Sequence, residues 1–141
     1  MPRIDVLFLR IAVLYALAGI ALGIFMAMSE DHSQMPTHAH INLVGWTSMA
    51  LYAVVYRLWP EAGMSPLARW HFWLANAGAL LVVIGVAGIM EGHPERFEPI
   101  AGIGSIATLL AMLLFAGIVF RRVSAVRSPG LTEKAPLAAT R

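Results

Sequence analysis

Four long apolar stretches separated by short polar ones organise this chain. Ile11 to Met28 carries no charge and is extended towards Ile4 by a turn with polar flanks; His38 to Tyr56, Phe72 to Met90 and Ile100 to Phe120 follow. Each supplies the ~20 residues that a helix needs to cross ~30 Å of hydrocarbon. None of the stretches alternates with period two, and lipid tolerates only helices and closed barrels. The pattern therefore predicts membrane-spanning helices over about 4–28, 37–59, 68–90 and 97–121. Residues 29–36, 60–66 and 91–99 carry the turn chemistry between them, and connections this short make neighbouring helices antiparallel. One domain is expected over 1–127, followed by a tail, 128–141, that opens on Ser128-Pro129-Gly130 and is expected to be disordered.

Composition agrees with the pattern. The 141 residues are 59% hydrophobic and 13% charged, against about 25% charged in an average soluble domain. Mean hydropathy is +0.73. The expected fold class is all-α, an integral membrane four-helix unit in a lipid bilayer, with no nucleic-acid partner. There is no cysteine, which excludes disulfides, thiolate metal sites, iron–sulfur clusters and covalent haem attachment. Any metal chemistry must use His, Met, carboxylates or a cofactor.

Charge adds a direction. Arg3, Arg10, Arg57, Arg69, Arg121, Arg122, Arg127, Lys134 and Arg141 fall on one side of the four spans. Arg96 is the one base on the other side, among Glu30, Asp31, Glu91, Glu95 and Glu98. The positive-inside rule then predicts both termini in the cytoplasm of a bacterial-type inner membrane. The first span is longer than a typical signal-peptide core and no clear Ala-x-Ala site follows it, so it is expected to be a retained helix. No carboxylate is expected inside a span.

The histidines sort by side. His32, His38, His40 and His93 fall at the outer, acidic face, and His71 at the inner end of the third span, beside Trp70 and Trp73. His71 reads as an interfacial histidine of an aromatic belt. His32 reads as a solvated loop residue. His93, before Pro94, reads equally as a helix-end cap or as a functional group. His38 and His40 differ from these, because ionisable side chains at the mouth of an apolar helix are costly and usually functional. Two helical positions apart they point about 200° from each other, so they cannot chelate one ion from a regular helix and serve two faces. One face runs His38, Asn42, Gly45, Met49, Tyr52 and Tyr56; the other runs His40, Leu43 or Val44, Thr47, Leu51 and Val54. The plainer alternative is that one imidazole bonds across helices or caps the helix start beside Thr37.

The string His38-Ala39-His40-Ile41-Asn42-Leu43-Val44-Gly45-Trp46 resembles subunit I of the haem–copper oxidase superfamily, which includes cytochrome oxidases and nitric oxide reductases, and the nitric-oxide-response membrane proteins related to it. Subunit I in that family is built as three arcs of four helices, and this chain resembles a single arc, which implies a homotrimer. The resemblance further implies that His38 of one protomer and His40 of its neighbour clamp a low-spin, non-covalent haem b, with Asn42, Gly45 and Trp46 beside it. It implies Arg96 as a propionate partner, and His93 as a copper ligand, a propionate partner or a cap.

The family's copper-site histidine cluster has no match here, and two axial histidines leave no open haem position, so a complete oxidase is not expected. Electron transfer, or sensing of redox state or nitric oxide, is the expected role, with a periplasmic or quinone redox partner. Two alternatives stand beside it. In one, a protein that handles copper or another metal on the periplasmic side uses His32, Met35, His38, His40, His93 and the outer carboxylates. In the other, the chain is a cofactor-free accessory subunit of a respiratory complex.

Overall fold

The computed structural model describes residues 3–123. The tail 128–141, with its expected disorder, and the bases Arg127, Lys134 and Arg141 lie outside the described residues. Among the described residues every regular element is helical. Helix α1 (Ile4–Ser29) is followed by a second rod made of α2 (Met35–His40), a π-helical segment (Ile41–Thr47) and α3 (Ser48–Leu58). The rod is continuous because the residues at its two junctions, Ile41 and Ser48, keep right-handed helical dihedrals. The short α4 (Pro60–Gly63) turns the chain into α5 (Pro66–Met90), and α6 (Pro94–Arg122) returns antiparallel to it. Helices α1, α5 and α6 are each long and apolar enough to cross a membrane by themselves. Pro66 and Pro94 open their helices at a position where the missing N–H is not needed. Pro99 lies inside α6 and withholds one hydrogen bond without ending the helix. The chain is an all-α, multi-pass membrane protein.

Two tight pairings build the bundle. Helix α5 packs on α6 through glycines that let the backbones meet. A Cβ on Gly104 would stand 2.5 Å from the Val82 nitrogen, and one on Gly85 2.5 Å from the Ala101 nitrogen. In lipid, where apolar helices gain nothing by hiding from water, such close packing is a main source of association. Helix α1 packs on the second rod through glycines that receive side chains, with Gly19 facing Asn42, Gly23 facing His38, and Gly45 of the π segment facing Tyr15.

The half of the bundle that holds the start of α1 carries an aromatic core that joins all four rods. Phe8 lies with its ring 5.4 Å from Tyr52, 5.7 Å from Tyr56, 5.1 Å from His71 and 5.0 Å from Phe72. Phe115 closes the cluster from α6, 4.6 Å from Tyr52 and 5.1 Å from His71. The Tyr56 hydroxyl and His71 Nδ1 share a hydrogen bond of 2.9 Å. This corrects the expectation that His71 belongs to an interfacial belt. Trp70 and Trp73 are 70% and 68% exposed while His71 is 0% exposed, because adjacent helical positions differ by about 100° and His71 takes the inward one. Asp5 qualifies a second expectation. It is buried in the first turn of α1, 3.1 Å from Arg3 and 3.6 Å from Arg57, so one carboxylate does lie within that helix, neutralised by its neighbours.

Two outcomes follow from this packing. Phe8→Ala should cost about 3–5 kcal/mol, as for other large-to-small changes of a buried aromatic, and so lower the thermal midpoint in detergent. Gly104→Val should cost about 1–3 kcal/mol by forcing the α5 and α6 backbones apart. An unchanged midpoint for the Gly104 variant would show that close backbone contact does not hold this pair.

Candidate functional site

The site is built where the second rod begins. Pro36 lies in the first turn of α2, and its carbonyl accepts a hydrogen bond from His40 Nδ1 at 2.7 Å. With Nδ1 engaged as donor to that carbonyl, the neutral ring presents Nε2 as a bare lone pair, the arrangement found in metal-ligating imidazoles. His38 lies on the opposite side of the helix, as the spacing predicts. Its ring fits against Gly23 of α1, where a Cβ would come within 3.0 Å of His38 Cε1. His38 Nδ1 is buried and has no hydrogen-bond partner among the described residues. Asn42, one turn on, donates from Nδ2 to the His38 carbonyl at 2.9 Å and lies 3.3 Å from His38 Nε2. An orphaned polar atom in lipid is expensive, and here it belongs to one of the two imidazoles already singled out by sequence.

The π segment follows directly. Ser48 donates its backbone N–H to the Leu43 carbonyl five residues back, and Ser48 Oγ reaches the same oxygen at 2.8 Å. The wider π turn re-aims the side chains after His40, and such turns are frequent at functional sites. It leaves Ile41 and Gly45 buried and Leu43 64% exposed. Trp46, expected beside a cofactor, is 37% exposed and faces outward from the protomer. Sequence periodicity assumes one helical pitch throughout and carries no signal for this turn. It does carry a signal for Gly19 and Gly23, whose small-x-x-x-small spacing marks the seam that houses His38 and Asn42.

The other expected site residues remain apart from this pair. His93 stands at the N-cap of α6 without a side-chain capping bond, and it is exposed. Arg96 is exposed, with its guanidinium 5.7 Å from the centre of the Phe97 ring and no ion pair among the described residues. His32 and Met35 are exposed. Asp31 accepts from the Ser33 N–H at 2.9 Å, and that bond holds its carboxyl below the usual range. Among the described residues no three His, Asp or Glu side chains gather as a metal-binding group within the chain. Gln34, which sequence reasoning passed over, ties the site down. It donates to Glu91 Oε1 at 2.7 Å at the end of α5 and accepts from Thr37 Oγ1 at 2.6 Å, one residue before His38.

Comparison with known proteins bears on this same chain. It is 40% identical over 63 residues to cytochrome c oxidase subunit 1 from Rhodobacter capsulatus, covering 39% of this chain and 12% of that protein. It is 34% identical over 62 residues to a cytochrome c oxidase subunit 1 homolog from Agrobacterium tumefaciens (strain T37), covering 38% of this chain and 12% of the relative. The matched part thus spans about an eighth of either curated relative's length. No protein-family model and no solved structure matches the chain. Over that matched stretch the chain is similar to cytochrome c oxidase subunit 1.

Proposed function

We propose that the chain is a haem b-binding membrane protein that carries electrons or senses redox state or nitric oxide, with His40 and His38 as its axial ligands. The observation that carries this reading is the pair of imidazoles on opposite sides of one membrane helix, each with a nitrogen left uncommitted. The residues fit the group. Among the described residues His40 Nε2 makes no hydrogen bond, with its ring fixed by Pro36, and the buried Nδ1 of His38 is unpartnered, so both rings keep a nitrogen for a ligand. When bound, haem would supply one-electron chemistry, and two axial histidines favour transfer over activation of dioxygen.

The two histidines would play unequal parts. His40 needs no rearrangement and would anchor the group. His38 is covered by Gly23 and Asn42, so it would complete the coordination only by turning out of the α1 seam as Asn42 releases it. Because the pair diverges, the second axial ligand of any one haem would come from a neighbouring copy, with a homotrimer as the assembly that restores the relatives' three-arc plan. Arg96, exposed and without an ion-pair partner among the described residues, suits a propionate by charge-assisted hydrogen bonding. Orientation with both termini in the cytoplasm would set this haem at the outer leaflet, facing a periplasmic partner or a quinone.

The optical spectrum of the purified protein tests the reading. A Soret band with sharp reduced α and β bands is expected. His40→Ala should lose the haem, while His38→Ala should retain it but lose the sharp low-spin bands. A colourless preparation that still carries copper or zinc would sink the haem reading, and an unaltered spectrum in the His38 variant would remove His38 from the ligand set.

A further inference from the structure

The opposite end of the bundle holds a second site, independent of the histidines. Arg3, Arg10, Arg57, Arg69, Arg121 and Arg122 stand at that end against Asp5 and Glu61, an excess of positive charge. Between the first turns of α1 and those of α5 opens a cavity of about 400 Å³, lined by Arg3, Ile4, Leu7, Arg69, Phe72 and Trp73 among others. A neighbouring cavity of about 330 Å³ shares Arg3 and Ile4 with it and reaches Asp5 and Tyr56.

The charges in this region are not matched. Arg3 is held in place by Asp5, with Nε donating to Oδ1 at 3.2 Å and Nη2 to Oδ2 at 3.1 Å. Asp5 also faces Arg57 at 3.6 Å, so one carboxylate serves two guanidiniums. Arg69 makes no ion pair among the described residues. The cavity therefore presents two guanidiniums, one pre-positioned and one unpaired, over an apolar wall of Leu7, Phe72 and Trp73. Guanidinium forks suit phosphate oxygens, and the wall suits a hydrocarbon chain. At a membrane surface a phospholipid offers both on one molecule, and basic pockets between spanning helices hold anionic headgroups in this way.

We propose that this cavity binds the headgroup of an anionic phospholipid, its phosphate between Arg3 and Arg69 and the start of one acyl chain on Leu7, Phe72 and Trp73. Free inorganic phosphate would engage the arginines alone and leave the apolar wall bare.

Thermal unfolding of the full chain in neutral detergent, followed by tryptophan fluorescence, tests this. Phosphatidylglycerol should raise the midpoint, and phosphatidylcholine and inorganic phosphate should not. Arg69→Gln should weaken the phosphatidylglycerol response about tenfold, the usual scale for losing one charge-assisted contact. Arg122→Gln, which removes the same charge outside the cavity, should leave the response intact. The proposal fails if phosphatidylcholine stabilises as well as phosphatidylglycerol, or if the two arginine variants respond alike. It also fails if inorganic phosphate alone gives the shift, which would assign the arginines to a soluble anion.

Discussion

Lipid gives apolar helices no reason to leave it for one another, so this bundle depends on how closely its backbones can approach. Glycine meets that constraint at both pairings. Gly78, Gly85 and Gly104 bring α5 and α6 together until main-chain atoms touch, whereas Gly19, Gly23 and Gly45 make room between α1 and the second rod for the side chains of Asn42, His38 and Tyr15. Every other feature is placed by these seams. The aromatic core exists because α5 and the second rod are held near enough for Tyr56 to reach His71. The His38 ring is confined because Gly23 offers it no side chain to displace.

The two ends of the bundle are built to different degrees of firmness. At the end bearing the start of α1, six aromatic side chains drawn from the four rods interlock around the Tyr56–His71 hydrogen bond, with His71 Nε2 buried and unpartnered among the described residues. At the other end, a π turn, a half-buried Asn42 and an orphaned His38 nitrogen occupy the seam, and Gln34 supplies the cross-tie to α5. Sites that must admit a ligand are drawn from the less stable parts of a protein. The end with the π turn and the polar seam is therefore the one suited to accept a large planar group, and the end with interlocked rings is suited to keep the bundle assembled while it does so.

Much of this was legible from residue order, and the misses have physical causes. Length and hydropathy place α1, α5 and α6, each long and apolar enough to cross a bilayer. The divergence of His38 and His40 follows from helical pitch alone. His71 was misread because its neighbours Trp70 and Trp73 belong to a belt, and chain adjacency was taken for a shared face. Asp5 was passed over because a charged residue next to Arg3 reads as a flank, and only folding brings Arg57 across to bury it. The π segment had no sequence signature to find, since Ser48 bonding back to Leu43 is a choice of backbone register, not of composition.

The divergence of the two histidines has a consequence for assembly that does not need the oxidase relatives. Within one protomer His38 points into the α1 seam and His40 away from it, so the two cannot meet at a shared atom. On the proposed reading, a ligand held by both must lie between copies, and every copy then gives one histidine and receives another. Such heterologous contacts close into a ring when the rotation permits and otherwise run on as an open chain. A closed ring makes all the sites equivalent and leaves no histidine unpaired, whereas an open chain strands one imidazole at each end in hydrocarbon. The cost of an unsatisfied imidazole in lipid thus favours closure. On that reading the ring size would be set by the angle between the His38 and His40 faces and by the exposed apolar surface around Leu43 and Leu51.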